Sequence, residues 1–439
     1  AATEVQAKNV WAQTATSKVG TGYGVKVAVV DTGIDYAHDD FVRDGDVTFP
    51  TAKVVAGYDL VGDDYAPGEG GIKEVPQPDS DPMDCTIAAG GGHGTHVAGT
   101  IAGYGIKANG DTYGIASSER YTSTLDVSSF KLAPGMAPLA SLIAIRVFGC
   151  DGATELAADG IEKAVALGAK VINLSLGSPY GIRGGAEQAA INAAEKAGAT
   201  VVIAAGNEGS EPFLVGSPST EDGAISVAAL DDRATYPGAT LAIRSDHSTY
   251  SDVTSGGTAV TFLNTNVFAL GDSYLGRPIV KVAHTTASAG YEEDYTLDGY
   301  ALGCPDTGAG GTTYTQDWDT SASFEGDIVV IRRGDCTFAD KVAAMTAKGA
   351  EGVIILQKKS VLDGGDQTTY PPFQGPDTPT AEIPVLMANG VAEAALSLRL
   401  DGELTWIKPL AAGLANPRYH TVAEFSSGGP RWGDLALKP

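Results

Sequence analysis

Between about residues 24 and 230, short apolar runs alternate with stretches rich in small residues at helical spacing. Val25–Val30, Ser141–Val147, Val171–Leu176, Thr200–Ala205 and Ile225–Ala229 have the length and apolar density of buried strands. Gly94–Gly103, Leu156–Leu167 and Ala186–Ala197 predict helices, the second with Leu156, Ile161, Ala164 and Val165 at helical spacing. Strands alternating with helices predict a parallel sheet with helices on both faces, an α/β domain. Ligands of such sheets sit at the carboxyl ends of the strands, so the residues just after each apolar run are the candidates for chemistry.

From about residue 255 to 410 the texture changes to short aromatic and Thr-rich strands, a Gly-rich loop at Thr307–Thr313 and a Pro-rich stretch at Tyr370–Thr378. Near residue 420 the chain returns to a compact motif, Phe425-Ser426-Ser427-Gly428-Gly429-Pro430. The expected division is a first domain over 1–254, a β-rich module inserted over 255–410, and a return to the first domain over 411–439.

Composition narrows the function classes. With 43% hydrophobic and 19% charged residues the chain is an ordinary globular protein. Its net charge of −25 repels phosphate, which argues against nucleic acid and anionic membranes as partners. No apolar run approaches the roughly 20 residues that span a bilayer. Ala1-Ala2-Thr3-Glu4 has no basic or apolar leader, so a secreted protein would be in mature or recombinant form. The four cysteines, Cys85, Cys150, Cys304 and Cys336, include no C-x-x-C pair. They read as two disulfides of a secreted protein, with buried thiols as the alternative. Three pairings exist in principle; two cysteines in each half favour Cys85–Cys150 and Cys304–Cys336.

Three segments carry candidate chemistry. Val27-Ala28-Val29-Val30-Asp31-Thr32-Gly33-Ile34-Asp35 places an acid at the end of an apolar strand, where a partly desolvated charge acts strongly on a neighbour. Gly91-Gly92-His93-Gly94-Thr95-His96-Val97-Ala98-Gly99-Thr100 places His93 at the start of a helix whose small residues admit close backbone approach. His93 and His96 are spaced by three with no acid between, which does not match a helical zinc pair. Val201-Val202-Ile203-Ala204-Ala205-Gly206-Asn207-Glu208-Gly209 puts an amide just past a buried strand, able to donate to a developing oxyanion. Taken singly, each also reads as a cap or a turn.

Together, in this order, the segments resemble the subtilisin-like serine proteases (subtilases): the first surrounds that family's catalytic Asp, the second its catalytic His, the third its oxyanion Asn. Ile172–Gly177 is similar to the family's substrate-binding strand, Leu142–Gly152 to the opposite binding edge, and Phe425–Pro430 to the F-S-S-x-G-P segment before its serine motif. The resemblance implies a subtilisin-like α/β fold and a secreted serine endopeptidase acting on polypeptides. Asp31 would orient His93, His93 would take the serine proton, and Asn207 would hold the oxyanion. Substrate would add as a strand between Ser175, Leu176 and Gly177 on one side and Asp151, Gly152 and Ala153 on the other, with Ala204, Ala205 and Gly206 lining the S1 pocket. The inserted module resembles a protease-associated (PA) domain in Gly326–Gly334, Phe338–Leu356 and Ile383–Leu386, which implies a role in substrate access or protein contacts.

One departure stands out. The family's serine lies in G-T-S-M-A-x-P, and Gly-Thr-Ser does not occur in these residues. The chain reaches Leu435-Ala436-Leu437-Lys438-Pro439 where a subtilase begins the strand leading to its serine. The expectation is a docked C-terminal segment or second chain carrying the serine, with residues 1–439 inactive alone; a protease-fold binding protein without activity is the alternative. An aspartic protease is disfavoured, because the second Asp-Thr-Gly, at Asp306, follows no apolar strand. No cofactor is expected for catalysis. The resemblance implies a structural Ca²⁺ ligand at Asp40, while the acidic loops Asp63-Asp64 and Asp79–Asp84 read as solvated faces. Asn173-Leu174-Ser175 is a formal glycosylation sequon on the substrate strand, expected to be unmodified.

Overall fold

The computed structural model describes residues 5–43, 45–150, 152–232, 234–244, 249–255, 257–264, 275–283, 285, 300–306, 317–332, 336–356, 383–388, 390–396, 403–416, 419–423 and 425–438. The chain forms two compact units, residues 1–232 with 421–439, and residues 233–420.

In the first unit the elements are β1 (Lys26–Asp31), β2 (Val54–Asp59), α1 (His93–Ala102), β3 (Ser141–Arg146), α2 (Ala157–Ala166), β4 (Val171–Leu174), α3 (Ala186–Lys196), β5 (Thr200–Ala204) and β6 (Ala224–Val227). The six strands form one parallel sheet in the order β6-β5-β4-β1-β3-β2. Strand β1 shows why it is covered on both sides. Val27 and Val29 pack with Ala98 and Ala102 of α1 in one core, while Ala28 and Val30 pack with Ile161 and Ala164 of α2 and Ile191 of α3 in another. Successive side chains alternate across a strand, so an unbroken apolar run buries both faces.

The predicted elements are present with shifted ends. Val171–Leu176 is a strand only to Leu174, and Ser175 and Leu176 run on outside the ladder. Strand β2 was not expected, since it carries Gly57 and is only half-buried through its middle; it is the sheet's edge, paired with β3 alone.

The second unit is built on β7 (Thr235–Arg244), β8 (Thr261–Asn264), β9 (Leu275–Lys281), β10 (Ile328–Arg332), α4 (Phe338–Thr346), β11 (Gly352–Leu356), β12 (Val385–Ala388), α5 (Gly390–Leu396) and β13 (Leu404–Ala415). Its sheet runs β7-β8-β12-β11-β10-β9-β13, and β13 pairs back onto β7, so the sheet closes on itself. This pairing moves the expected borders. Thr235–Arg244 lies before residue 255 and Ala411–Ala415 after residue 410, yet their ladder belongs to the second unit, which begins at Arg233 and ends at His420. The loops at 307–313 and 370–378, Arg333 and Gly334 lie outside the described residues.

Both favoured disulfides form, Cys85–Cys150 in the first unit and Cys304–Cys336 in the second. Among the described residues, no helix is long and apolar enough to cross a membrane.

Candidate active site

Asp31 is the last residue of β1, at the carboxyl edge of the sheet, with none of its surface exposed. Its Oδ1 accepts the backbone N–H of Thr32 at 2.8 Å and lies 2.7 Å from Nδ1 of His93, the first residue of α1. The two elements meet because the helix can come close. The Thr32 hydroxyl accepts the N–H of Gly94 at 2.9 Å, and a Cβ on Gly94 would stand 2.2 Å from the carbonyl oxygen of Gly33. The His93 side chain is 58% exposed while that of Asp31 is 1% exposed, so the imidazole has one nitrogen on a buried carboxylate and faces solvent with the rest. The hydrogen bond to Asp31 raises the His93 pKa, with the charges of Asp31 and Asp84 adding and burial opposing. Oδ2 of Asp31 is buried without a partner among the described residues.

Asp84 is a feature the sequence reading missed. Placed among solvated acids, it is 6% exposed, and its Oδ2 accepts both the Thr95 hydroxyl at 2.6 Å and the Thr95 N–H at 3.1 Å. It thus satisfies an otherwise free donor in the first turn of α1 and places negative charge at a helix N-terminus, where the dipole favours it. Thr95 in turn accepts the N–H of Asp35, joining this turn to the segment that follows β1. The adjacent Cys85 is bridged to Cys150, and buried Arg146, at the end of β3, lies under the bridge with Nη2 3.0 Å from Cys85 Sγ. Its Nη1 pairs with Asp59 at 3.3 Å and Asp63 at 2.8 Å, so Asp63 is also a fixed partner although exposed. The signal for Asp84 was its position next to a cysteine shortly before His93.

Asn207 follows β5 in a turn and is solvent-exposed, two residues after buried Ala205. Gly206 holds φ at +110°, a left-handed value that turns the chain out of the sheet. Ala204 is half-buried; Ala205 spends its N–H on Val227 and its carbonyl on Gly216, and the Gly206 carbonyl accepts from Ser427. Ser175, Leu176 and Gly177 make no backbone hydrogen bond among the described residues until Ser178 exchanges a pair with Ser217. The Asn173 side-chain amide donates to Ser175 at 3.0 Å. Gly152 and Ala153 are exposed; Asp151 lies outside the described residues.

Asp40 lies apart from these groups, buried, with Oδ1 accepting the Gly105 N–H at 2.6 Å. Burial raises its pKa, against the pull of Gly105, His38 and Lys53. Lys53 is itself buried, donating to the carbonyls of Pro138 and Ala140. Among the described residues, the one cluster of three His, Cys, Asp or Glu side chains at metal-binding distances is Asp63, Cys85 and Cys150, and its cysteines are oxidised.

The acid at the end of a central strand and the histidine that it holds at the start of α1 both lie inside the stretch that a family comparison matches. Residues 22–439 match the Subtilase family of S8 peptidases. The chain belongs to the Subtilase family. Its six-stranded parallel sheet with helices on both faces is the subtilisin-like α/β fold. Among subtilase relatives, the minor extracellular protease Vpr of Bacillus subtilis is 30% identical over 423 residues, covering 95% of this chain and 40% of Vpr. The thermophilic serine proteinase of Bacillus sp. AK1 is 33% identical over 274 residues, 61% of this chain and 53% of that protein. Thermitase of Thermoactinomyces vulgaris is 33% identical over 230 residues, 52% of this chain and 61% of thermitase. The chain therefore spans less than two thirds of the length of each of these subtilases.

Proposed function

We propose that this chain is the Asp-, His- and Asn-bearing part of a secreted serine endopeptidase whose nucleophilic serine lies on polypeptide outside residues 1–439. The observation that carries the reading is the 2.7 Å bond between His93 Nδ1 and buried Asp31 Oδ1. That bond leaves Nε2 of a solvent-facing imidazole to take a proton from a hydroxyl nucleophile. In the reaction, Nε2 receives the serine proton as the oxygen attacks the scissile carbonyl, and later gives it to the leaving amine. Asp31 holds the ring and stabilises the imidazolium. The Asn207 amide donates to the oxyanion from the turn after β5.

Substrate lies extended along the unpaired edge at Ser175–Gly177, with Asp151–Ala153 as the opposite edge and Ala204–Gly206 beside the P1 side chain. The second unit is the PA domain and acts on substrate access rather than on the chemistry. Two disulfides support an oxidising compartment, and a named relative is extracellular. No metal or cofactor enters these steps.

The test is hydrolysis of a chromogenic peptide by the serine-bearing protein. We expect turnover blocked by a serine-directed inhibitor and untouched by pepstatin. A folded, serine-bearing protein that binds peptide without cleaving it would replace this reading with that of a protease-fold binding protein.

A further inference from the structure

The motif Phe425-Ser426-Ser427-Gly428 has no part in the steps above, yet Ser426 and Ser427 are each only 1% exposed. Its hydrogen bonds explain the burial. The Ser427 N–H donates to the Gly206 carbonyl at 3.0 Å, and the Ser427 hydroxyl accepts the Glu208 N–H at 3.0 Å. The Gly209 N–H donates to the Phe425 carbonyl at 2.9 Å, and the Gly428 N–H to the Gly209 carbonyl at 3.0 Å. These bonds hold residues 206, 208 and 209 and skip Asn207, which lies beyond the end of β5 and exposed. Gly206 is fitted to the same contact, since a Cβ there would stand 2.7 Å from the Ser427 Oγ. Ser426 points elsewhere, its hydroxyl accepting the Ala229 N–H at 3.0 Å.

From this clamp we infer that Ser427 is a positioning residue for Asn207, its amide and hydroxyl fixing the two peptide units that flank the oxyanion donor. The inference rests on the oxyanion reading of Asn207. An amide at the tip of an unsupported turn would sample many orientations, and an oxyanion donor works only when its direction is set before the charge develops. Ser427 supplies that order from a part of the chain that arrives only after the whole second unit.

The experiment compares Ser427→Ala, Ser426→Ala, Asn207→Leu and the Ser427→Ala/Asn207→Leu pair in the full-length serine-bearing protein, with Glu208 amide exchange as a second readout. We expect Ser427→Ala to lower kcat by about tenfold or more with KM nearly unchanged. Ser426→Ala should leave kcat within about twofold, although it empties an equally buried hydroxyl site. In the Asn207→Leu background Ser427→Ala should cost nothing further, and Glu208 should lose exchange protection only when Ser427 is replaced. Equal losses of kcat for the two serine variants, or an undiminished Ser427→Ala effect without Asn207, would overturn the inference. A negligible effect of Asn207→Leu itself would instead remove the oxyanion reading, which keeps the two failures apart.

Discussion

The backbone N–H of Asp231 donates to the carbonyl of Thr421 at 2.9 Å, and Leu230 bridges Val422 beside it. The chain thus leaves the first unit and re-enters it at one point, so the excursion through residues 233–420 closes a loop whose ends are already joined.

Replacing residues 233–420 by a short Gly/Ser linker should therefore leave the first unit folded, because closing a short flexible loop between adjacent ends costs little entropy. Far-UV circular dichroism and a cooperative melt would show this. In the serine-bearing protein, hydrolysis of a short peptide should stay within about tenfold, because no proposed catalytic group lies in the second unit. Loss of peptide hydrolysis in a variant that still melts cooperatively would give the second unit a share in building the site.

His93 sets two opposite pH dependences. The raised pKa means that protonated His93 stabilises the fold fully below its unfolded value of about 6.5, a contribution lost as pH rises through the folded value. The proposed mechanism needs the neutral ring, so in the serine-bearing protein the acid limb of kcat/KM should lie above that of a free imidazole. Asp84→Asn removes a charge that raises the His93 pKa and should move this limb to lower pH. An unmoved His93 titration in that variant, followed by NMR, would show that the Asp84 charge does not reach the ring. Because the His93 side chain is 58% exposed, solvent screens the stability effect and it should be small.

Asp31→Asn keeps the shape of the buried side chain and removes the charge that holds the imidazole. The expected loss in kcat is on the order of 10⁴-fold with little change in melting temperature. A loss of less than about tenfold in steady-state kinetics would take Asp31 out of the mechanism.

Asn207→Leu should lower kcat by about 10²- to 10³-fold with KM little changed, the general magnitude for removing one oxyanion donor, known from subtilisin itself. Side-chain packing should be nearly unaffected, because Asn207 is exposed.

The Cys85–Cys150 bridge closes a sequence separation of 65 residues and joins the loop of Asp84 to the segment after β3. Replacing both cysteines by serine should cost about 2–5 kcal/mol in denaturant unfolding. It should also loosen the hold of Asp84 on Thr95, seen as faster exchange of the Thr95 amide.

The amino-acid pattern alone was enough for the first unit's class, and it pointed to where the candidate chemistry stands. Strands such as β1 are apolar on every residue because both faces are covered, and that pattern needs no knowledge of neighbours to read. Asp31, His93 and Asn207 could be singled out as candidates because they stand at the end of β1, at the start of α1 and just past β5, near the carboxyl edge of a parallel sheet. The cysteine pairs were legible from their distribution between the two halves. Relations between residues far apart in the chain had to wait for the fold. The border of the second unit depends on Thr235–Arg244 pairing with Leu404–Ala415, a ladder that no local pattern announces. The edge strand Val54–Asp59 is half-buried, so its alternation is weak. Asp84 looks like any surface acid until Thr95 is brought beside it. Ser427 reads as a turn residue until the fold sets it against Gly206 and Glu208. Local periodicity reports how one segment meets an average surrounding; a hydrogen bond between distant segments depends on which partner arrives, and only the folded chain decides that.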